Sequence, residues 1–124
     1  MIRAGFQSVV PYLGIRGAAG LVEFLISTFG AQETYRAPTS THFEVKIGDS
    51  MVMIGEVGEG SQSKAGQLFM YIEDGFTTYA RAIQAGATSV MEPCDRPWGD
   101  AGKPMNAAGF RDPSGNLWFL AWPK

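Results

Sequence analysis

The chain has 124 residues, 45% of them hydrophobic and 18% charged, with ten Lys and Arg against twelve Asp and Glu and a net charge of −2. That is the make-up of one globular domain, or of two small modules sharing a core, and it excludes a disordered chain or a coiled coil. No basic cluster offers a nucleic-acid footprint; a lone cysteine, Cys94, excludes an intrachain disulfide and a multi-cysteine zinc site; a lone histidine, His42, excludes a site built on two histidines of one chain.

Residues 8–15 (SVVPYLGI) read as a buried strand, at an edge or bulged because Pro11 has no N–H to give. Residues 18–29 read as a helix: Leu21, Phe24, Leu25 and Thr28 recur at helical spacing and Gly30 is a natural stop. A short strand at 32–37 ends before Pro38. Residues 41–47 (THFEVKI) alternate, with Phe43, Val45 and Ile47 on one face and His42, Glu44 and Lys46 on the other; Gly48-Asp49 turns the chain into a return strand at 51–54. The polar, Gly- and Ser-rich stretch 56–66 is the best linker.

The pattern then restarts. Residues 67–72 (QLFMYI) read as a strand and 77–85 as a helix with Tyr79, Ala82 and Ile83 facing in. Residues 88–92 form a strand ended by Pro93, 94–106 a long loop carrying Trp98, 107–111 a strand, 112–115 (DPSG) a turn and 116–122 (NLWFLAW) the closing strand, whose Trp118, Leu120 and Trp122 pack on the second helix. The order is strand, helix, strand, strand, strand, twice. The halves also echo each other in sequence, Phe29-Gly30-Ala31 after the first helix matching Ala85-Gly86-Ala87 after the second.

Within this frame Val10-Pro11-Tyr12-Leu13, Phe29-Gly30-Ala31, Gly48-Asp49-Ser50, Ala85-Gly86-Ala87, Trp98-Gly99-Asp100 and Arg111-Asp112-Pro113-Ser114-Gly115-Asn116 carry a resemblance. From about residue 8 to residue 122 the chain resembles the vicinal-oxygen-chelate superfamily of glyoxalase I, fosfomycin and bleomycin resistance proteins and extradiol dioxygenases, as a small member poor in metal ligands. The resemblance implies a single α+β domain over 1–124 made of two βαβββ modules, at about 8–55 and 67–122, whose curled sheets form a cleft. It implies metal ligands at four cleft positions, which map to Val10, about Ile54, Gln67 and Phe119. Val10, Ile54 and Phe119 have no donor atom, and the Gln67 amide is a poor ligand by itself. A slip of one residue at Ile54 offers Met53 or Gly55, adds no oxygen or nitrogen side-chain ligand and turns the strand's other face inward. No metal and no other cofactor is therefore expected, and whether the chain is an enzyme stays open.

The same mapping lines the cleft with Tyr12 beside Val10, with Phe69 and Tyr71 beside Gln67, with Phe119, with Phe43 opposite Ile54 in a simple hairpin, and with Trp98 from the loop. Such a surface suits a flat organic ligand held by stacking. His42 and Glu44, two apart on one strand, form a proton-transfer couple, half of a metal site completed by another chain, or with Lys46 a solvated stripe. The expectation is a homodimer that binds an aromatic or amphipathic small molecule in a metal-free cleft, in drug sequestration or resistance. The alternatives are a metal-dependent lyase, isomerase or dioxygenase with an unorthodox site around His42, Glu44 and Gln67, and a structural or regulatory dimer. No apolar run reaches the roughly 20 residues of a membrane span, residues 1–8 lack the apolar region of an export signal, and the free thiol fits the cytoplasm.

Overall fold

The computed structural model describes residues 3–124; Met1 and Ile2, at the head of the stretch read for an export signal, lie outside the described residues. The chain forms two compact units, Met1–Ala65 and Gly66–Lys124. In the first, β1 (Tyr12–Ile15), α1 (Ala18–Phe29), β2 (Gln32–Arg36), β3 (His42–Ile47) and β4 (Ser50–Glu56) build a four-stranded sheet in the order β1-β4-β3-β2. In the second, β5 (Gln67–Tyr71), α2 (Gly75–Gln84), β6 (Thr88–Arg96), β7 (Met105–Arg111) and β8 (Leu117–Trp122) repeat the plan in the order β5-β8-β7-β6. In each sheet the first strand pairs parallel with the last and the other neighbours are antiparallel. This is the α+β, twice-repeated βαβββ plan that the sequence pattern implies. Among the described residues no helix is long and apolar enough to cross a membrane.

The helices form where the apolar spacing puts them. Leu21, Phe24, Leu25 and Thr28 of α1 are all buried, against a sheet face made by Phe43, Val45 and Ile47 of β3 and Val52 and Ile54 of β4. Gly17 precedes α1 in the left-handed region and brings no side-chain cap. The Glu56 carboxylate takes that part, accepting from the Gly17 and Ala18 N–H groups at 3.0 and 2.9 Å, where the helix otherwise leaves unpaired donors. The second helix starts at Gly75, two residues before the expected point, because Asp74 caps it by accepting from the Thr77 N–H and hydroxyl. A side chain at Gly75 would run into the Trp122 ring, so the first turn of α2 lies directly on the indole. Of the inward face read for this helix Ala82 is buried, but Ile83 is exposed.

Three boundaries move for physical reasons. The first strand begins at Tyr12 rather than residue 8. Upstream of Pro11 the Gln7 side chain stands in for a strand, its amide donating to the Met51 carbonyl at 2.7 Å and accepting from the Met51 N–H at 3.1 Å. Pro93 does not end β6: the strand lies at the sheet edge and shifts register between Met91 and Cys94, so no ladder bond depends on the missing N–H. The long loop therefore shortens, and β7 begins at Met105.

The turn from Asp112 to Gly115 is tied to the core through a buried carboxylate. Asp112 accepts from the Ser114 and Asn116 backbone N–H groups, from the Asn116 amide and from the Trp118 indole N–H, all at 2.9–3.0 Å. Asn116, itself fully buried, accepts from the Gly66 N–H at 2.8 Å and so anchors the start of this unit. Asp112→Ala leaves several buried donors unpaired and is expected to cost on the order of 2–4 kcal/mol of unfolding free energy, read by urea denaturation. A loss under about 1 kcal/mol would show that the turn holds without its carboxylate.

Candidate functional site

Side chains alternate across a strand, so the residues that do not face a helix gather on the far face of each sheet. In the second unit Gln67, Phe69 and Tyr71 of β5 lie on that face, with Phe119 of β8 directly beside Phe69 and Gly109 of β7 beside Phe119. Trp98, from the segment after β6, reaches the same group. The ring centroids of Phe69 and Tyr71 are 5.0 Å apart, those of Phe69 and Trp98 5.4 Å, and those of Trp98 and Phe119 5.8 Å, the last two edge to face. The Tyr71 hydroxyl donates to the Trp98 carbonyl at 3.0 Å and fixes the loop to the strand. A Cβ on Gly109 would stand 2.8 Å from the Phe119 ring, so the glycine lets that ring lie on the sheet. Phe69 is 46% and Tyr71 66% exposed. The result is an aromatic shelf open to solvent with the Gln67 amide on its first strand.

The far face of the first unit is polar. Tyr12, Met53, Gly55, His42, Glu44 and Tyr35 share it, since Tyr12 pairs with Met53, His42 with Gly55 and Glu44 with both Met53 and Tyr35. Glu44 is only 4% exposed. Arg3 grips its carboxylate through both terminal nitrogens at 2.8 Å, and His42 Nε2 sits 3.0 Å from Oε2. The Arg3 hydrogen bonds hold the Glu44 carboxyl below its ordinary value; burial opposes this and the His42 contact adds to it. The imidazole lies between two tyrosines, stacked on Tyr12 at 6.0 Å and tilted to Tyr35 at 6.3 Å. The stripe of His42, Glu44 and Lys46 is thus no uniformly solvated charge row: its middle member is buried and paired.

Of the residues read as cleft-lining, the structure brings Gln67, Phe69, Tyr71, Trp98 and Phe119 together in the second unit and places Tyr12 on the far face of the first. Phe43 lies elsewhere. It pairs with Ile54 as the hairpin requires, but that pair faces α1 and both residues are fully buried. The register of β1 explains it: Tyr12 stands beside Met53, not Ile54, so the face holding Tyr12 carries His42 and Glu44 and puts Phe43 in the core. Nothing in the sequence singles out Arg3, Tyr35 or Gly109, whereas Met53 and Gly55, the residues offered by a one-residue slip at Ile54, are the ones on this face. Arg3 meets Glu44 across 41 residues, and the β2 register shift between Glu33 and Tyr35 brings Tyr35 to this face.

The residues do not make the metal site of the resemblance. Gln67 and Phe119 share the second unit's far face with one amide between them, Ile54 is in the core, and among the described residues no three His, Cys, Asp or Glu side chains cluster. A separate open groove of about 580 Å³ runs between α2 and β6, lined by Tyr79, Ile83, Ala87, Ser89 and Glu92 among others; its tyrosine hydroxyl is already paired with Ser89 at 2.6 Å.

The profile of the Glyoxalase/Bleomycin resistance protein/Dioxygenase superfamily matches residues 13–120. No curated protein matches the chain by sequence. Among solved structures the chain is similar to TioX from Micromonospora sp. ML1, with 24% identity, a TM-score of 0.77 and coverage of 95% of this chain and 99% of that one. It is similar to the fosfomycin resistance protein FosX from Mesorhizobium loti, with 20% identity, a TM-score of 0.66 and coverage of 100% and 95%. A glyoxalase-related enzyme from Fulvimarina pelagi shows 17% identity, a TM-score of 0.71 and coverage of 94% and 87%. At these identities the likeness is one of fold.

The ion pair at Glu44 has a pH signature. Its carboxyl titrates lower in the folded chain than in the unfolded one, so the stability it contributes is present above 4.5 and is lost as pH falls through the folded value. Urea midpoints followed from neutral pH to about pH 3 are expected to fall more steeply for the wild type than for Arg3→Ala. Parallel curves would mean that Arg3 does not hold Glu44 in solution.

Proposed function

This chain belongs to the Glyoxalase/Bleomycin resistance protein/Dioxygenase superfamily, and from that premise we propose that it binds an aromatic or amphipathic small molecule on the far face of its second sheet, without a metal. The observation that carries this reading is the ring cluster of Phe69, Tyr71, Trp98 and Phe119, in which Phe69 and Tyr71 are exposed and Trp98 and Phe119 half-buried. Rings left open to water on one face, rather than buried under the helix, form an apolar patch of the kind that marks a binding surface. Their edge-to-face contacts hold them in place before a ligand arrives, which lowers the ordering cost of binding. A planar ligand stacks on Phe69 or Tyr71, with the other ring and Trp98 as its walls, and the Gln67 amide offers a donor group and an acceptor to fix its orientation.

Such a protein acts by holding its ligand, as in sequestration of a drug, and one fold neighbour is a fosfomycin resistance protein. A cytoplasmic homodimer completes the reading; light scattering on the purified chain tests the dimer.

The test is calorimetric titration with a panel of planar aromatic compounds. At least one is expected to bind the wild type, and Trp98→Ala is expected to weaken it about tenfold, the 1.4 kcal/mol scale of losing one stacked ring. If the panel does not bind, or binds Trp98→Ala and Phe69→Ala as well as the wild type, the shelf is not a ligand site.

A further inference from the structure

We propose that His42, on the first unit, is a proton acceptor of fixed tautomer, and that its Nδ1 takes the proton of an acidic hydroxyl on a planar ligand such as a phenol or an enol. The proposal does not rest on the aromatic shelf.

The tautomer follows from the contacts. Glu44 is buried and gripped through both oxygens by Arg3 at 2.8 Å, which keeps it an ionised carboxylate and therefore a pure acceptor. His42 Nε2, 3.0 Å from Oε2, must then carry the hydrogen of that contact. In the neutral ring Nδ1 is left with its lone pair, and it makes no hydrogen bond among the described residues. An imidazole so held is a base and not a donor at its free nitrogen.

Charge decides why the ring can serve as a base. Arg3 already balances Glu44, so the pair is neutral and does not require a protonated imidazole beside it. When Nδ1 takes a proton, the new positive charge lies next to the Oε2 that Nε2–H already binds, and the contact becomes a charge-assisted one. The step balances without a further reactant: the ligand O–H bond breaks, the Nδ1–H bond forms, and the electron pair stays on the ligand oxygen. The ionisable groups around the ring are Glu44, Arg3, Tyr12 and Tyr35. The two tyrosine rings beside the imidazole favour a flat, conjugated partner.

The chain has a single histidine, so imidazole ¹⁵N labelling reads this ring alone. The expected spectrum of the free protein in its neutral form shows Nε2 protonated and Nδ1 bare. The probe is 4-nitrophenol, whose phenolate absorbs in the visible. Adding it is expected to move the Nδ1 signal toward the protonated position and to raise phenolate absorption at constant pH. His42→Gln, at a half-buried position outside the core, is expected to abolish the phenolate gain. Glu44→Gln is expected to lower it about tenfold, as for the loss of one charge-assisted hydrogen bond, and to mix the tautomers, a signature that a merely structural role would not move. The proposal is overturned by a neutral ring protonated at Nδ1, by a phenolate gain that survives His42→Gln, or by no gain at saturating 4-nitrophenol.

Discussion

Within each unit one helix lies against one face of a four-stranded sheet, so alternate residues of every strand have no helix to cover them. The helix-facing positions are filled as a small core must be. Phe43, Val45, Val52 and Ile54 lie under α1, and Ala108, Phe110, Trp118 and Leu120 occupy the equivalent positions of the second unit, all of them buried. What distinguishes one member of such a fold from another is written on the far faces, because those positions are free of the packing that the helix imposes. Here the two far faces are chemically unlike: one carries an arginine, a glutamate and a histidine held together, the other four aromatic rings in contact. A protein that needed only stability would gain nothing by leaving Phe69 and Tyr71 in water.

The alternation that makes these faces is legible in the sequence, and so is much of what they hold. Gln67, Phe69 and Tyr71 are two apart, and no tertiary event can separate their side chains onto different faces of an unbroken strand. The pairing of Phe43 with Ile54 was equally accessible, since a short Gly-Asp turn fixes the register of its hairpin. Which face of that hairpin the helix takes was not. It depends on the parallel pairing of β1 with β4, where a shift of one residue exchanges every inward and outward side chain. No local pattern sets that register, so Tyr12 and Phe43 were assigned to one face and lie on opposite ones.

Contacts between distant segments were out of reach for another reason. Nothing near Glu44 in the sequence announces Arg3, and Glu44 in an alternating strand reads as a solvent-facing residue. Its burial follows only when the N-terminal segment comes back onto the sheet, where Gln7 binds the Met51 backbone and Arg3 binds the carboxylate. Likewise Pro93 read as a strand end, because a proline removes one ladder bond. The strand runs on through a register shift, and the edge position makes the missing bond free of consequence.

Both far faces also use one device to place a ring. Tyr12 lies over Gly55 of the neighbouring strand and Phe119 over Gly109; a Cβ at either glycine would stand 2.9 Å from Tyr12 Cζ or 2.8 Å from Phe119 Cε1. In each case the ring rests on bare backbone, so the sheet as well as the neighbouring rings sets its position. A surface ring fixed in this way loses little freedom when a ligand arrives, and the binding energy of stacking is not spent on ordering it. It also means that an alanine at Gly109 disturbs the shelf by pushing directly on the Phe119 ring, because the small residue and the aromatic one act as a single unit. The glycines shape the far faces as much as the rings do, and their part becomes visible only once the strands are paired.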